Sequence, residues 1–222
     1  MFKVIEIFCS IDGEGPTAGE LATFIRFSDC NLRCRWCDTS YSWDGSSQYI
    51  SMTSEEIIQY IRMNQVKNIT LTGGEPLIQP HIEQLLQTLS EEGQYQIHIE
   101  TNGSISIAQF KESVPSPNIS YILDYKGPDS SMNHKMCLDN FEKLSINDVV
   151  KFVIASEKDL NQAYQIIVDY DLLNRCLVYF SPVTEEIAAS QIVDFMKQKK
   201  LNGVKLQLQL HKYIWPTEMR GV

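Results

Sequence analysis

The chain has 222 residues, 43% of them apolar, with 19 basic against 28 acidic side chains and a formal charge of −9. That length fits one large domain or two small ones, and that apolar share is enough to build a core. The acidic balance disfavours a polyanion partner such as nucleic acid, and no run of 18 or more apolar residues offers a membrane span.

The N-terminus MFKVIEIF lacks a signal-peptide layout, because charge interrupts the apolar run and no small-residue cleavage site follows. A cytoplasmic, reducing compartment is the default, where clustered cysteines mean metal or catalysis more often than disulfides. After SIDGEG (10–15), an acidic and glycine-bearing segment, comes the first predicted strand, ATFIRF over 22–27. Arg26 shares a face there with Ala22 and Phe24, and an arginine in an apolar strand needs an anion, either an internal carboxylate such as Glu14 or Glu100 or a ligand. Directly after this strand Cys30, Cys34 and Cys37 form CxxxCxxC. Three cysteines cannot close a tetrahedral zinc site, but they suit an iron–sulfur cube with one iron left open.

A helix follows over 53–63, with Thr53 and Glu56 in capping-box spacing and Ile57, Ile58 and Ile61 on one face. Strand 68–72 runs into TGGEP, and helix 81–93 stops at Gly93. Strand 96–100 runs into ETNG and strand 121–125 into DYKGP; the stretch 126–148 has weak periodicity and reads as an ordered insertion or a mobile loop. Strand 149–154, helix 156–170, strand 176–180 running into SPV, helix 184–200 and strand 204–210 ending in QLHKY complete the chain. Cys9, Cys137 and Cys176 read as small buried hydrophobes, and His81, His98 and His134 as structural or surface residues.

Strand and helix in alternation imply parallel strands with right-handed crossovers. About six units make an open or partial barrel or a doubly wound sheet, and in either the ligands bind at the C-terminal ends of the strands. The glycine-rich and polar segments collect there.

CNLRCRWC resembles the cluster loop of the radical S-adenosylmethionine (SAM) superfamily, and TGGEP resembles its glycine-rich segment. The likeness extends over EIFCSIDGEGPTAGELATFIRFSDCNLRCRWCDTSYSWD, ETNGS, DYKGP and QLHKYIWP to the 7-carboxy-7-deazaguanine synthase family of that superfamily. The resemblance implies an α/β chain with a partial, shortened β/α barrel, divided into an N-terminal substrate segment (1–21), the barrel (22–211) and a C-terminal tail (212–222). It implies a homodimer, a 4Fe–4S cluster, SAM, Mg²⁺ and an external one-electron reductant of the flavodoxin kind. The implied reaction turns 6-carboxy-5,6,7,8-tetrahydropterin into 7-carboxy-7-deazaguanine with loss of ammonia, a step of queuosine-type 7-deazapurine biosynthesis.

By the same resemblance Cys30, Cys34 and Cys37 hold the cluster. Trp36, Asp38, Gly73, Gly74, Glu75, Asp124, Tyr125, Lys126 and Ser181 surround SAM. Thr39 takes Mg²⁺. Ile11, Asp12, Gly13, Glu14, Arg26, Thr72 and His211 meet the substrate. Glu14 suits the ring N–H and exocyclic amine of a pterin, and Arg26 suits its carboxylate. The family commonly has glutamine at the position of Asp12, so the contact expected there is through the backbone. Two other readings use the same cysteines: a glycyl-radical-enzyme activase and an iron–sulfur electron-transfer module, the second of which needs a fourth protein ligand.

Overall fold

Alternation along the strands decides the architecture. The computed structural model describes residues 1–216 and 219–222. Its strands are β1 (Phe2–Ile11), β2 (Leu21–Phe27), β3 (Ile50–Met52), β4 (Asn68–Gly73), β5 (Gln96–Thr101), β6 (Ile119–Lys126), β7 (Val149–Ile154), β8 (Leu177–Pro182) and β9 (Val204–Leu206). Its α-helices are α1 (Ser54–Asn64), α2 (Ile82–Glu91), α3 (Ala108–Ser113), α4 (Asn140–Lys143), α5 (Glu157–Asp169), α6 (Ala189–Lys199) and α7 (His211–Ile214). One sheet holds all these strands in the order β3-β1-β2-β4-β5-β6-β7-β8-β9. From β2 to β9 every pairing is parallel, while β1 is antiparallel to both β2 and β3. The sheet is therefore an open, partial β/α barrel with seven parallel strands where about six were expected.

Each strand sends alternate residues to opposite faces. The outer set, including Ile25, Leu71, Ile99, Leu123, Phe152 and Phe180, is buried in one core with Ile57, Ile61, Leu85, Leu89, Leu160 and Ile192 of the helices. The inner set is polar toward the strand C-termini: Arg26, Thr72, Asp124, Lys126, Lys151 and Ser181 line the cleft. A small apolar cluster of Ile122, Val149 and Tyr179 also faces inward. A sheet with one apolar face and one chemically mixed face thus has its helices on the first and its ligand space on the second.

The structure amends the sequence reading in several places. β1 lies in the segment expected only to meet substrate. The strand expected over 204–210 ends at Leu206, because residues 207–210 turn toward the N-terminal loop: Leu210 N–H donates to the Gly13 carbonyl (3.0 Å) and the Gln207 amide to that of Gly15 (3.4 Å). His211 accordingly opens α7 instead of ending a strand. The helix expected from 184 begins at Ala189, after Glu185 takes a left-handed conformation at φ 71°. The stretch 126–148 is ordered, with two 3₁₀ turns and α4, and buried Asn140 bonds to the backbone of Gly103, Ile105 and Ile107. Cys176 is buried as expected, whereas Cys137 is only half-buried and Cys9 is exposed on β1. Thr217 and Glu218 of the expected 212–222 tail lie outside the described residues. Among the described residues no helix is long and apolar enough to cross a membrane.

Candidate active site

A cleft of about 850 Å³ opens at the C-terminal ends of the strands. Cys30, Cys34 and Cys37 lie at its edge, on the loop that leaves β2. That loop is tied down along its length. Asp29 N–H donates to the Ser42 carbonyl (2.8 Å), Gln79 Nε2 to that of Ser28 (2.6 Å) and Arg35 N–H to that of Ser130 (3.1 Å). Asn102 Nδ2 donates to Asn31 Oδ1 at 3.0 Å. Burial pushes the Cys34 thiol up to about 11 and raises that of Cys30. Among the described residues no three His, Cys, Asp or Glu side chains gather about one point as the ligands of a single ion would. Three cysteines of one short loop lining one cleft are the donor set that a cube, which spreads three thiolates over three irons, would take.

Gly73 ends β4 and Gly74 follows it. A Cβ on either would overlap neighbouring backbone, at Phe27 on the end of β2 for Gly73 and at Asp29 of the cluster loop for Gly74. Gly74 and Glu75 N–H groups donate to the Phe27 and Asp29 carbonyls at 3.0 and 2.9 Å. These glycines therefore let two loops dock before any ligand arrives, a reason that the expected close approach to SAM did not include. Glu75 is fully buried. Its carboxylate accepts from Leu77 N–H (3.0 Å), Thr101 Oγ1 (2.8 Å) and Asn102 N–H (2.7 Å), while burial pushes it up to about 7 against those bonds. It braces the loop and does not line the cleft, so its expected charge toward SAM is not presented there. Tyr125 also faces away: its ring packs on Phe141 and Phe152, and its hydroxyl accepts from Asn133.

The other expected residues do share the cleft, namely Ile11, Asp12, Gly13, Glu14, Arg26, Trp36, Asp38, Thr39, Thr72, Asp124, Lys126, Ser181 and His211. Trp36 Nε1 and Asp124 Oδ1 are buried with no hydrogen-bond partner among the described residues, a pair of open polar atoms beside the cysteines that a polar cofactor would satisfy. Among the described residues Thr39 makes no capping bond, and its hydroxyl has only the Gly73 carbonyl at 3.5 Å and Cys37 Sγ at 3.8 Å. Asp12 accepts from Thr17 Oγ1 (2.9 Å) and Glu14 N–H (3.4 Å), its own N–H donates to the Glu20 carbonyl (2.7 Å) and its carbonyl accepts from Gly19 N–H (2.8 Å), so side chain and backbone alike fold its turn.

Arg26 Nε donates to Glu6 Oε2 at 2.8 Å. The internal anion is Glu6 on β1, neither Glu14 nor Glu100, and the terminal guanidinium nitrogens carry no hydrogen bond among the described residues. Three other cleft residues escaped the sequence reading. Lys151 pairs with Glu14 (2.7 Å), Glu100 (3.4 Å) and Asp124 (3.5 Å). Gln209 bonds Glu14 Oε1. Tyr41 donates to Glu6 at 3.4 Å and carries the Arg220 guanidinium 3.8 Å over its ring. A lysine inside the apolar run VVKFVI is the same signal that marked Arg26. Gln209 and Glu6 had none.

The Radical SAM superfamily model matches residues 24–155. A 7-carboxy-7-deazaguanine synthase from Clostridium acetobutylicum is 48% identical, over 100% of this chain and 99% of that one. One from Chlorobaculum tepidum is 33% identical, over 99% and 97%. Among solved structures, QueE from Escherichia coli superposes with a TM-score of 0.74 at 19% identity, over 94% of this chain and 93% of that one, a likeness of fold.

Proposed function

The chain belongs to the 7-carboxy-7-deazaguanine synthase family of the radical SAM superfamily, and from that premise we propose how its cleft works as a ring-contracting lyase. The substrate is 6-carboxy-5,6,7,8-tetrahydropterin and the products are 7-carboxy-7-deazaguanine and ammonia. The observation that carries this reading is the meeting, in one cleft, of the three cluster-loop cysteines with an arginine and an acidic–basic set suited to a carboxylated pterin.

Cys30, Cys34 and Cys37 would hold the cluster. Trp36, Asp38, the Gly73–Gly74 backbone, Asp124, Lys126 and Ser181 would hold SAM. Bound there, the two supply a carbon radical that takes a hydrogen atom from the substrate. The chain's own residues then decide which atom is presented. The free guanidinium nitrogens of Arg26 grip the substrate carboxylate, while Glu6 fixes the arginine from behind. Glu14 accepts from the ring N–H and exocyclic amine. Thr72 and the backbone at Ile11 and Gly13 complete the frame. Burial lowers the His211 ring below its ordinary value, so near neutral pH it offers one N–H and one lone pair to a proton in transit. Thr39, whose hydroxyl is only weakly engaged, would be the residue that holds Mg²⁺, and the ion would supply positive charge beside the substrate. We further assign a homodimer, a flavodoxin-like reductant and a cytoplasmic setting, on the family likeness and the reducing environment a cluster needs.

Anaerobic turnover of the reconstituted protein with SAM, reductant and 6-carboxytetrahydropterin tests the reading. Product of the mass of 7-carboxy-7-deazaguanine, rising with added Mg²⁺, is the expected result. SAM cleavage without that product would keep the superfamily and remove the substrate. Thr39→Ala should abolish the Mg²⁺ response, and an unchanged response would remove the ion from Thr39.

A further inference from the structure

The mechanism above leaves a buried lysine unused. Lys151 stands in the middle of β7 with its side chain 7% exposed, on the face that lines the cleft. One ammonium there serves three carboxylates from three segments: Glu14 on the N-terminal loop, Glu100 on β5 and Asp124 on β6. Asp124 has a second cation in Lys126 at 3.0 Å. Glu14 and Glu100 have no other cation among the ion pairs of the described residues. The distances divide Lys151 unequally between them, 2.7 Å to Glu14 against 3.4 Å to Glu100.

Glu14 differs from the other two in having no strand to aim it. Its direction comes from its two bonds, Lys151 on Oε2 and Gln209 on Oε1. Each carboxylate oxygen has a second lone pair, and the group is 13% exposed, so it remains open to a ligand in the cleft. Burial pushes the Glu14 carboxyl up; the charge and hydrogen bond of Lys151, then Gln209, outweigh it and hold it at about 2. Glu100, farther from the same ammonium, is pushed by burial up to about 7. An ionised carboxylate can only accept, which is what a ring N–H beside an exocyclic amine requires. A protonated one would turn a donor toward them.

We propose that Lys151 is a positioning residue for substrate recognition, holding Glu14 in one direction and one charge state as the acceptor for the donor edge of the pterin. This rests on the reading of Glu14 as a substrate contact. The groups facing Lys151 are Glu14, Glu100, Asp124 with Lys126, Asp12 behind the loop turn, and His211 and the Arg26–Glu6 pair across the cleft, so pH effects are read as differences between proteins.

The test is fluorescence titration of the reconstituted full-length protein, with SAM, using 6-carboxypterin as probe from pH 5.5 to 8.5. Lys151→Met should weaken binding about ten- to a hundred-fold at pH 8. Relative to wild type it should weaken it further as pH falls, because Glu14 without its ammonium takes up a proton near neutrality. Lys151→Arg should restore the wild-type profile. Glu14→Gln should show the loss without the added pH dependence. Lys151→Met alone leaves excess buried negative charge, so Lys151→Met/Glu100→Gln is measured as the folded counterpart and should keep the pH-dependent loss. Binding within two-fold of wild type with a parallel profile in these Lys151 variants, while Glu14→Gln is impaired, overturns the proposal alone. Unimpaired binding by Glu14→Gln overturns the reading of Glu14 on which it rests.

Discussion

Arg26 shows how one side chain can serve the fold and the ligand together. Its Nε is spent on Glu6, and the pair is mostly buried, with side-chain exposures of 17% and 16%. The pair orients the guanidinium, and the two nitrogens left over form the edge that takes a carboxylate bidentately. Arg26→Ala should raise the substrate KM about ten- to a hundred-fold, the worth of a charge-assisted bond of ~1.5–3 kcal/mol. Arg26→Lys can keep an ion pair with Glu6 but has no second donor edge, so most of the loss should persist; recovery of KM in the lysine variant would mean that charge alone suffices. A second residue-scale test concerns pH. His98 is buried with Nδ1 2.7 Å from Ser120 Oγ, and burial lowers its pKa below the ordinary 6.5. Its contribution to stability is complete above pH 6.5 and is lost as pH falls toward its folded value, because the unfolded chain takes the proton first. Thermal melts from pH 5 to 8 should therefore show a steeper acid loss for wild type than for His98→Gln. Parallel melting profiles would contradict that assignment.

At the scale of elements, α1 formed as its sequence dictates. Thr53 Oγ1 accepts from Glu56 N–H at 3.2 Å, Glu56 Oε2 accepts from Thr53 N–H at 2.8 Å, and Ile57, Ile58 and Ile61 are the buried face. Thr53→Ala should cost about 1 kcal/mol of unfolding free energy, read as a lower denaturation midpoint at unchanged m-value, with SAM cleavage unaffected. Elements of this kind were legible because cap and period are local. β1 was not, because Lys3 and Glu6 interrupt its apolar run, although Glu6 is there to meet Arg26 and Lys3 to meet Asp29. The overextended strand at 204–210 has the opposite cause. LQLQL alternates as a strand would, but Gln207 and Gln209 spend their amides on Gly15 and Glu14, nearly the whole chain away in sequence. The site divides along the same line. The cysteines and the cleft-lining glycines were visible as motifs, and Arg26 as a charge in an apolar strand. Partners such as Glu6 and Gln209 acquire meaning only when the sheet curves and brings distant segments together.

For the whole molecule, the open barrel leaves a gap between the β1–β3 edge and β9, and the two ends of the chain meet across it. The seam is Gly13 and Gly15 on one side and Gln207 to His211 on the other. A Cβ on Gly13 would overlap His211 Nδ1 and crowd the ring and the α7 backbone behind it. Gly13 has no left-handed backbone to forbid a side chain, so its constraint is steric and lies on the substrate side of the cleft. Gly13→Ala should displace His211 and raise KM about ten-fold, a loss near 1.4 kcal/mol, with the denaturation midpoint close to wild type. If the seam is the cause, the effects of Gly13→Ala and His211→Ala cannot add, because removing the imidazole makes room for the methyl. The double variant should then be no worse than His211→Ala alone, a coupling of about 1 kcal/mol or more in the mutant cycle. Additive losses would mean that Gly13 acts on the substrate by itself and that the two chain ends close the cleft independently.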